Sequence, residues 1–236
     1  SKDAGYNYIP KKYTVNPAAD YFHCTSNNTI FGTQLKEFPD TPVPLVCDMS
    51  SDIFSRTMDF EKFSLIYAGA QKNMGPAGAT LVVVKEELLG KVSRALPAML
   101  DYKVHIKKDS MFNTPPVFSV YVSMLTLEWL KALGGIAAME KLNGQKAECI
   151  YTEIDRNPLF EGFVPNKEDR STMNATFTLK NEKLKNDFEV LCKQAGINGL
   201  NGHRSVGGYR ASMYNALPLE SVRVLVAVMQ QLENKA

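Results

Sequence analysis

Lys72 stands in Tyr67-Ala68-Gly69-Ala70-Gln71-Lys72-Asn73-Met74-Gly75-Pro76-Ala77-Gly78, where one apolar run ends, a Gly/Pro turn follows and a second apolar run begins at Ala79. That pattern puts the amine at a strand end in a tightly specified loop. The segment is no P-loop, since G-x-x-x-x-G-K-[ST] is absent. A lysine in a turn is usually a solvated surface group. Its other chemistry is nucleophilic: a flexible amine that sheds its proton on desolvation attacks an aldehyde and releases it again. Asp48 ends the apolar run Leu45-Val46-Cys47 and precedes Met49-Ser50-Ser51. A carboxylate closing a buried strand needs a cation or strong donors, because an unpaired buried charge is too costly. A turn or cap meets that need, and so does a protonated pyridine nitrogen. Pyridoxal phosphate (PLP) chemistry requires such a pair, an Asp that keeps the ring nitrogen protonated and a Lys that binds the aldehyde.

Asn113 and Thr114 precede Pro115-Pro116, which open a helix, so their polar groups suit either a helix cap or a phosphate at the helix start. Arg210 follows Gly207-Gly208 in a short β-like run, where the missing side chains let a small ligand approach the backbone. Its guanidinium fork can grip a carboxylate through two parallel hydrogen bonds. His23, read as lying on a buried strand, and His105 have no convergent partner. Cys24, Cys47, Cys149 and Cys192 lack both C-x-x-C and zinc-ligand spacing, so no metal site and no disulfide framework is expected. Trp129, Met124, Met139 and Met229 fall at core spacing and are assigned to packing.

The elements that must position these groups are legible from punctuation and periodicity. Apolar runs at 21–24, 45–47, 64–69 and 79–84 predict strands, the last two apolar enough for burial on both faces. After Pro116 the pattern turns helical through Leu133 and stops at Gly134-Gly135, where a second long helix begins and ends before Pro158. Residues 157–170 read as loop, 173–179 as strand, 183–194 as helix, 209–213 as strand and 218–232 as a terminal helix. This is an α/β chain, with a boundary placed near residue 140: residues 1–140 form part of a large domain and 141–236 a smaller α/β domain. With 236 residues, 44 % hydrophobic and 22 % charged, disorder, collagen and coiled coil are excluded. A net charge of +2 gives no nucleic-acid footprint, and no apolar run approaches the ~18 residues of a spanning helix. A cytoplasmic protein with neither nucleic-acid nor membrane partner is expected.

Four segments together resemble a known family. Asp48-Met49-Ser50-Ser51, Gly69 to Gly78, Phe112-Asn113-Thr114-Pro115-Pro116 and Gly202-His203-Arg204-Ser205-Val206-Gly207-Gly208-Tyr209-Arg210-Ala211-Ser212 resemble, in order, signature segments of the phosphoserine aminotransferase family, within the fold-type-I, class-V PLP proteins. The resemblance runs from about Tyr8 to the C-terminus. It implies a large mixed-sheet α/β/α domain plus a smaller C-terminal domain. It also implies reversible transamination of L-glutamate with 3-phosphohydroxypyruvate to give O-phospho-L-serine, a step of serine biosynthesis. By that resemblance Lys72 holds PLP and shuttles the proton, Asp48 pairs with the pyridinium nitrogen, Gln71 meets the phosphate and Thr29 offers its hydroxyl. Asn113 and Thr114 reach the cofactor phosphate of the other subunit, so a homodimer with shared sites follows. Arg210 takes the substrate α-carboxylate, while His203 and Arg204 supply charge for the substrate phosphate or the glutamate side chain. Family members carry a long N-terminal portion before the point where this chain starts. The resemblance therefore implies a truncated form, whose site is incomplete alone. Another class-V aminotransferase or lyase, or a catalytically silent fragment, is the alternative; the His203-Arg204 pair speaks against the other enzymes.

Overall fold

A helix cannot form through Thr41-Pro42-Val43-Pro44, so the chain enters Leu45 already extended. In the computed structural model, which describes residues 1–12 and 14–236, this entry starts a central strand. The elements run β1 (Phe22–Thr25), β2 (Asn27–Asn28), β3 (Thr33–Gln34), β4 (Leu45–Asp48), β5 (Leu65–Gly69), β6 (Thr80–Val84), α1 (Tyr102–Lys107), α2 (Val117–Ala132) and α3 (Gly135–Arg156). They continue with β7 (Phe160–Gly162), β8 (Asn174–Leu179), α4 (Lys185–Gln194), β9 (Tyr209–Ser212) and α5 (Leu219–Glu233). The first sheet has the order β1-β4-β5-β6, with β1, β4 and β5 parallel and β6 antiparallel. A second, antiparallel sheet has the order β7-β8-β9, and β2 and β3 form a short hairpin. The chain is thus mixed α/β, as its alternating runs predict.

Each sheet has its own apolar core. Leu45, Cys47, Met49, Ile53, Phe63, Ile66 and Ala68 pack together on the first. On the second, Phe160, Phe177, Phe188 and Tyr209 meet mainly edge to face, sealed by Ile150 and Ile154 of α3 and by Val222, Leu225 and Met229 of α5. Helix α3 is pinned further by a two-pronged contact from Arg170 Nη1 and Nη2 to the Asp155 carboxylate at 2.9 and 2.8 Å. That contact holds the Asp155 carboxyl below its usual range.

Several expectations need correction. Strand β6 is an edge strand and buries no residue, Val83 being 51 % exposed, so its apolar run does not mark two-sided burial. Met139 and Met229 are core residues, but Met124 and Trp129 are exposed, as are Val117, Phe118, Val120, Tyr121, Leu125 and Leu127 of the same helix. Helix α2 is apolar nearly all round, so its composition cannot say which face is inward. The buried face carries Ser119, Ser123 and Leu130. The reason is backbone proximity: a Cβ at residue 78, where φ is +118°, would lie 2.8 Å from Ser119 Oγ, so a small residue must oppose a glycine there. His23 is exposed, not buried, and meets the Tyr67 hydroxyl at 3.0 Å. The stretch 157–170, expected as loop, contains β7, and residues 27–34 form the β2–β3 hairpin; both are too short to show a period in the sequence. No single helix among the described residues is long and apolar enough to cross a membrane.

Candidate active site

Parallel strands deliver their carboxyl ends to one edge of a sheet, where ligands of open α/β folds bind. The register here aligns Thr25 with Asp48 and Asp48 with Tyr67, so Asp48 closes β4 beside the last residues of β5. Two residues beyond β5 the chain turns. Met74 and Gly75 N–H both donate to Ala70 C=O, at 3.2 and 2.8 Å, and Ala70 N–H donates to Ala79 C=O at 3.0 Å. Lys72 lies on this closed turn, exposed, while Asn73 and Met74 beside it are buried. The amine and the carboxylate therefore come from neighbouring strand ends.

The Asp48 side chain is held locally. Its Oδ1 accepts from Ser50 N–H at 2.8 Å, and Ser50 Oγ accepts from Gly69 N–H at 3.1 Å, which ties the two strand ends together. Burial, and then the charge of Asp48, push the Tyr67 phenol up. Gln71 is exposed and folds its amide back over Gly69, where a side chain at residue 69 would collide with it. Thr29 lies in the β2–β3 turn, and its carbonyl accepts from Arg210 Nη1 at 3.5 Å. Arg210, on β9, is half-buried, and its Nε is buried with no partner among the described residues. A buried donor left open in this way is what a bound carboxylate would satisfy. The Arg210 side chain projects from a strand whose approach depends on Gly208: at φ +59° a Cβ there would lie 2.7 Å from Phe177 C=O.

The remaining residues named from sequence stand apart. Asn113 and Thr114 are exposed before α2, and among the described residues Asn113 Nδ2 donates only to Thr114 C=O, at 3.0 Å. His203 and Arg204 occupy the loop between Gly202 and Gly208, where His203 Nδ1 meets Ser205 Oγ at 2.7 Å. Among the described residues no hydrogen bond, ion pair or ring contact joins these four to Lys72, Asp48 or Arg210. Nor do three or more His, Cys, Asp or Glu side chains gather as a metal site there. A cavity of about 350 Å³ opens where Pro42, Pro44 and Leu45 enter β4, the sheet edge opposite Asp48, and includes none of this set.

Sequence reading missed a group of buried polar residues that brace the site. Lys72 Nζ lies 5.1 Å from the centroid of the Tyr214 ring, within cation–π range. Asn174 Nδ2 donates to the Tyr214 hydroxyl at 3.3 Å, and Asn174 Oδ1 accepts from Asn27 Nδ2 at 2.9 Å. Asn27 Nδ2 also reaches Ser51 Oγ at 2.9 Å, three residues past Asp48. Asn73 donates to Ile53 C=O at 3.0 Å and accepts from Asn215 N–H at 3.0 Å. Burial of an asparagine is not written in its neighbours, so no local signal in the sequence marks this network.

Comparison with known proteins gives the family and the fold. The family model described as aminotransferase class-V matches residues 6–225. Phosphoserine aminotransferase of Flavobacterium johnsoniae is 69 % identical over 235 residues, covering 100 % of this chain and 66 % of the relative. That of Porphyromonas gingivalis is 56 % identical over 237 residues, with the same coverage. The structure of phosphoserine aminotransferase from Bacillus circulans subsp. alkalophilus superposes with a TM-score of 0.95 at 45 % identity, over 100 % of this chain and 66 % of that one. A PLP-bound phosphoserine aminotransferase from Trichomonas vaginalis gives 0.90 at 38 % identity, over 96 % of this chain and 65 % of that one. The chain thus spans about two thirds of the length of the relatives it matches, with a fold similar to that of these PLP-dependent enzymes. Its strand-end lysine and aspartate sit within the matched residues, and the chain belongs to the class-V aminotransferase family.

Proposed function

We propose that this chain carries the amino-transfer chemistry of a phosphoserine aminotransferase, exchanging an amino group between L-glutamate and 3-phosphohydroxypyruvate to give O-phospho-L-serine and 2-oxoglutarate. The observation that carries the reading is the sheet register that sets Asp48 beside the β5 end leading to Lys72. The orphaned Nε of Arg210 beside Thr29 supports it from the other sheet. These groups fit PLP, which when bound supplies an electron-accepting ring for the substrate's Cα. Lys72 holds the cofactor through Nζ and moves the proton to and from that carbon. Asp48 would pair with the ring nitrogen, Gln71 would contact the cofactor's phosphate and Thr29 would offer its hydroxyl to the cofactor. Arg210 orients the α-carboxylate common to every substrate of the reaction, with Nε and one terminal nitrogen as a fork.

The same reading divides the chain near residue 140, inside α3, with residues 1–140 carrying the cofactor side and 141–236 the Arg210 side. It places the protein in the cytoplasm, which cell fractionation checks. It also makes the working unit a homodimer. Support comes from α2, where Val117, Phe118, Tyr121, Met124 and Leu125 form an exposed apolar face directly after Asn113 and Thr114. Such a face calls for a partner surface. A second copy seated there would take Asn113 and Thr114 to its own cofactor phosphate, and His203 and Arg204 serve the substrate's second anionic group. Sedimentation velocity is expected to show a dimer; a monomer at micromolar concentration contradicts this part.

The substrate assignment is tested with 3-phosphohydroxypyruvate and its unphosphorylated analogue as amino acceptors from glutamate. Preference for the phosphorylated acid is expected, and equal or better use of the other would favour a different class-V enzyme. In the same assay Arg210→Lys is expected to lower kcat/KM by about ten- to a hundredfold, chiefly through KM, since a point charge does not reproduce the fork. Unchanged kinetics would remove Arg210 from the substrate site.

A further inference from the structure

Lys146 is wholly buried in the middle of α3, yet among the described residues it makes no ion pair. Burial pushes its amine down to about 8. A buried cation without a carboxylate is costly. What Lys146 does instead is specific. Its Nζ donates to Met213 C=O at 3.0 Å and to Tyr214 C=O at 2.9 Å, two carbonyls just beyond the end of β9.

The same stretch is gripped from three other directions. Met213 N–H donates to Met173 C=O at 2.7 Å. Asn143, three residues before Lys146 and so on the same face of α3, donates from Nδ2 to Asn215 Oδ1 at 2.9 Å. Asn215 N–H donates to Oδ1 of Asn73 at 3.0 Å, and Asn73 is the residue after Lys72. Two adjacent pairs are thereby registered: Asn215 with Asn73 through a hydrogen bond, and Tyr214 with Lys72 through the ring 5.1 Å from Nζ. Lys146 is the clamp whose side chain reaches the Tyr214 backbone; the same C=O also accepts from Leu217 N–H at 2.9 Å, and the Tyr214 hydroxyl accepts from Asn174 Nδ2 at 3.3 Å.

We propose that Lys146 is a positioning residue for the reactive amine: it fixes the backbone of residues 213 and 214 so that the Tyr214 ring is presented to Lys72, and it touches neither substrate nor cofactor. A four-carbon stem on an exposed turn otherwise sweeps many rotamers, and the ring gives its charged end one favoured place. The proposal rests on Lys72 being the reactive amine.

The test needs no cofactor and no turnover. Protons held near the face of an aromatic ring are displaced upfield, so the ε-methylene of Lys72, assigned in the labelled 236-residue chain by its loss in Lys72→Arg, reports the Tyr214 ring. In the unaltered chain the resonance is expected upfield of exposed lysines, and Tyr214→Leu is expected to return it to their position. Lys146→Met, similar in length but without the N–H donors, is expected to return it likewise, with no further change in the double variant. Lys146→Gln, which keeps a donor, is expected to give a partial return and serves where the methionine variant does not fold. An upfield resonance unmoved in whichever Lys146 variant folds, or no upfield displacement in the unaltered chain, overturns the proposal. Borohydride reduction with PLP reports Lys72 separately: failure there removes the reactive-amine reading alone, and an unmoved resonance removes the positioning role alone.

Discussion

Lys72→Ala is expected to abolish the borohydride-stable attachment of PLP and to lower amino transfer by at least about 10³-fold, while leaving the fold intact. Both losses follow from one nitrogen. In the proposed function Lys72 is the covalent anchor, and it also holds the proton that must leave and rejoin the substrate's Cα, a role worth about 10²–10⁴-fold by itself. The fold should survive because Lys72 is exposed on its turn. The turn is closed by backbone bonds from Met74 and Gly75 to Ala70, and it is anchored by Asn73, none of which uses the Lys72 side chain. What the substitution removes from the protein is the contact with Tyr214, worth about 0.5–1 kcal/mol at an exposed site. An unchanged far-UV spectrum with no adduct is the expected pair of results. An adduct of undiminished yield in Lys72→Ala would show that another amine holds the cofactor.

The second large effect belongs to charge without shape. Asp48→Asn keeps an oxygen where Oδ1 accepts from Ser50 N–H at 2.8 Å, so the link through Ser50 Oγ to Gly69 is retained. The negative charge alone is lost. A neutral amide cannot hold a pyridine nitrogen protonated, and the ring then draws little electron density from the reacting carbon. Rates of the glutamate half-reaction are expected to fall by about 10²–10³-fold, the scale of losing one preorganised electrostatic partner. Adduct formation on Lys72 is expected to persist, because attachment depends on the amine. Stopped-flow absorption separates the two quantities, and a half-reaction at full speed in Asp48→Asn would sink the proposed pairing.

Strands β4 and β5, and the residues they deliver, were legible because proline punctuation and short apolar runs leave little alternative near residues 41–48 and 64–69. Lys72, Asp48 and Arg210 stood out for the same reason: each follows a strand or glycine signal that explains its placement. Helix α2 was legible as a helix but not in its facing. Its apolar residues surround it, and its inward side is where Gly75 and Gly78 bring backbone so close that only small residues, here Ser123 and Ser119, fit opposite them. Trp129 and Met124 consequently lie outside although their spacing resembles that of a core. The bracing set of Asn27, Asn73, Asn143, Asn174, Asn215 and Lys146 was not legible. A polar residue is tolerated inside only when partners from distant segments meet it, as Asn27 and Asn174 do across 147 positions. No local pattern encodes that meeting.

One nitrogen, Lys72 Nζ, carries the proposed chemistry, and the direct measurement is to incubate the purified chain with PLP, reduce with borohydride and map the stable adduct by peptide mass. A single adduct on Lys72, displaced by no other of the chain's lysines, is the predicted result. No adduct, or adducts scattered over surface lysines with Lys72 unmodified, would contradict the claim that this strand-end amine is the cofactor's site.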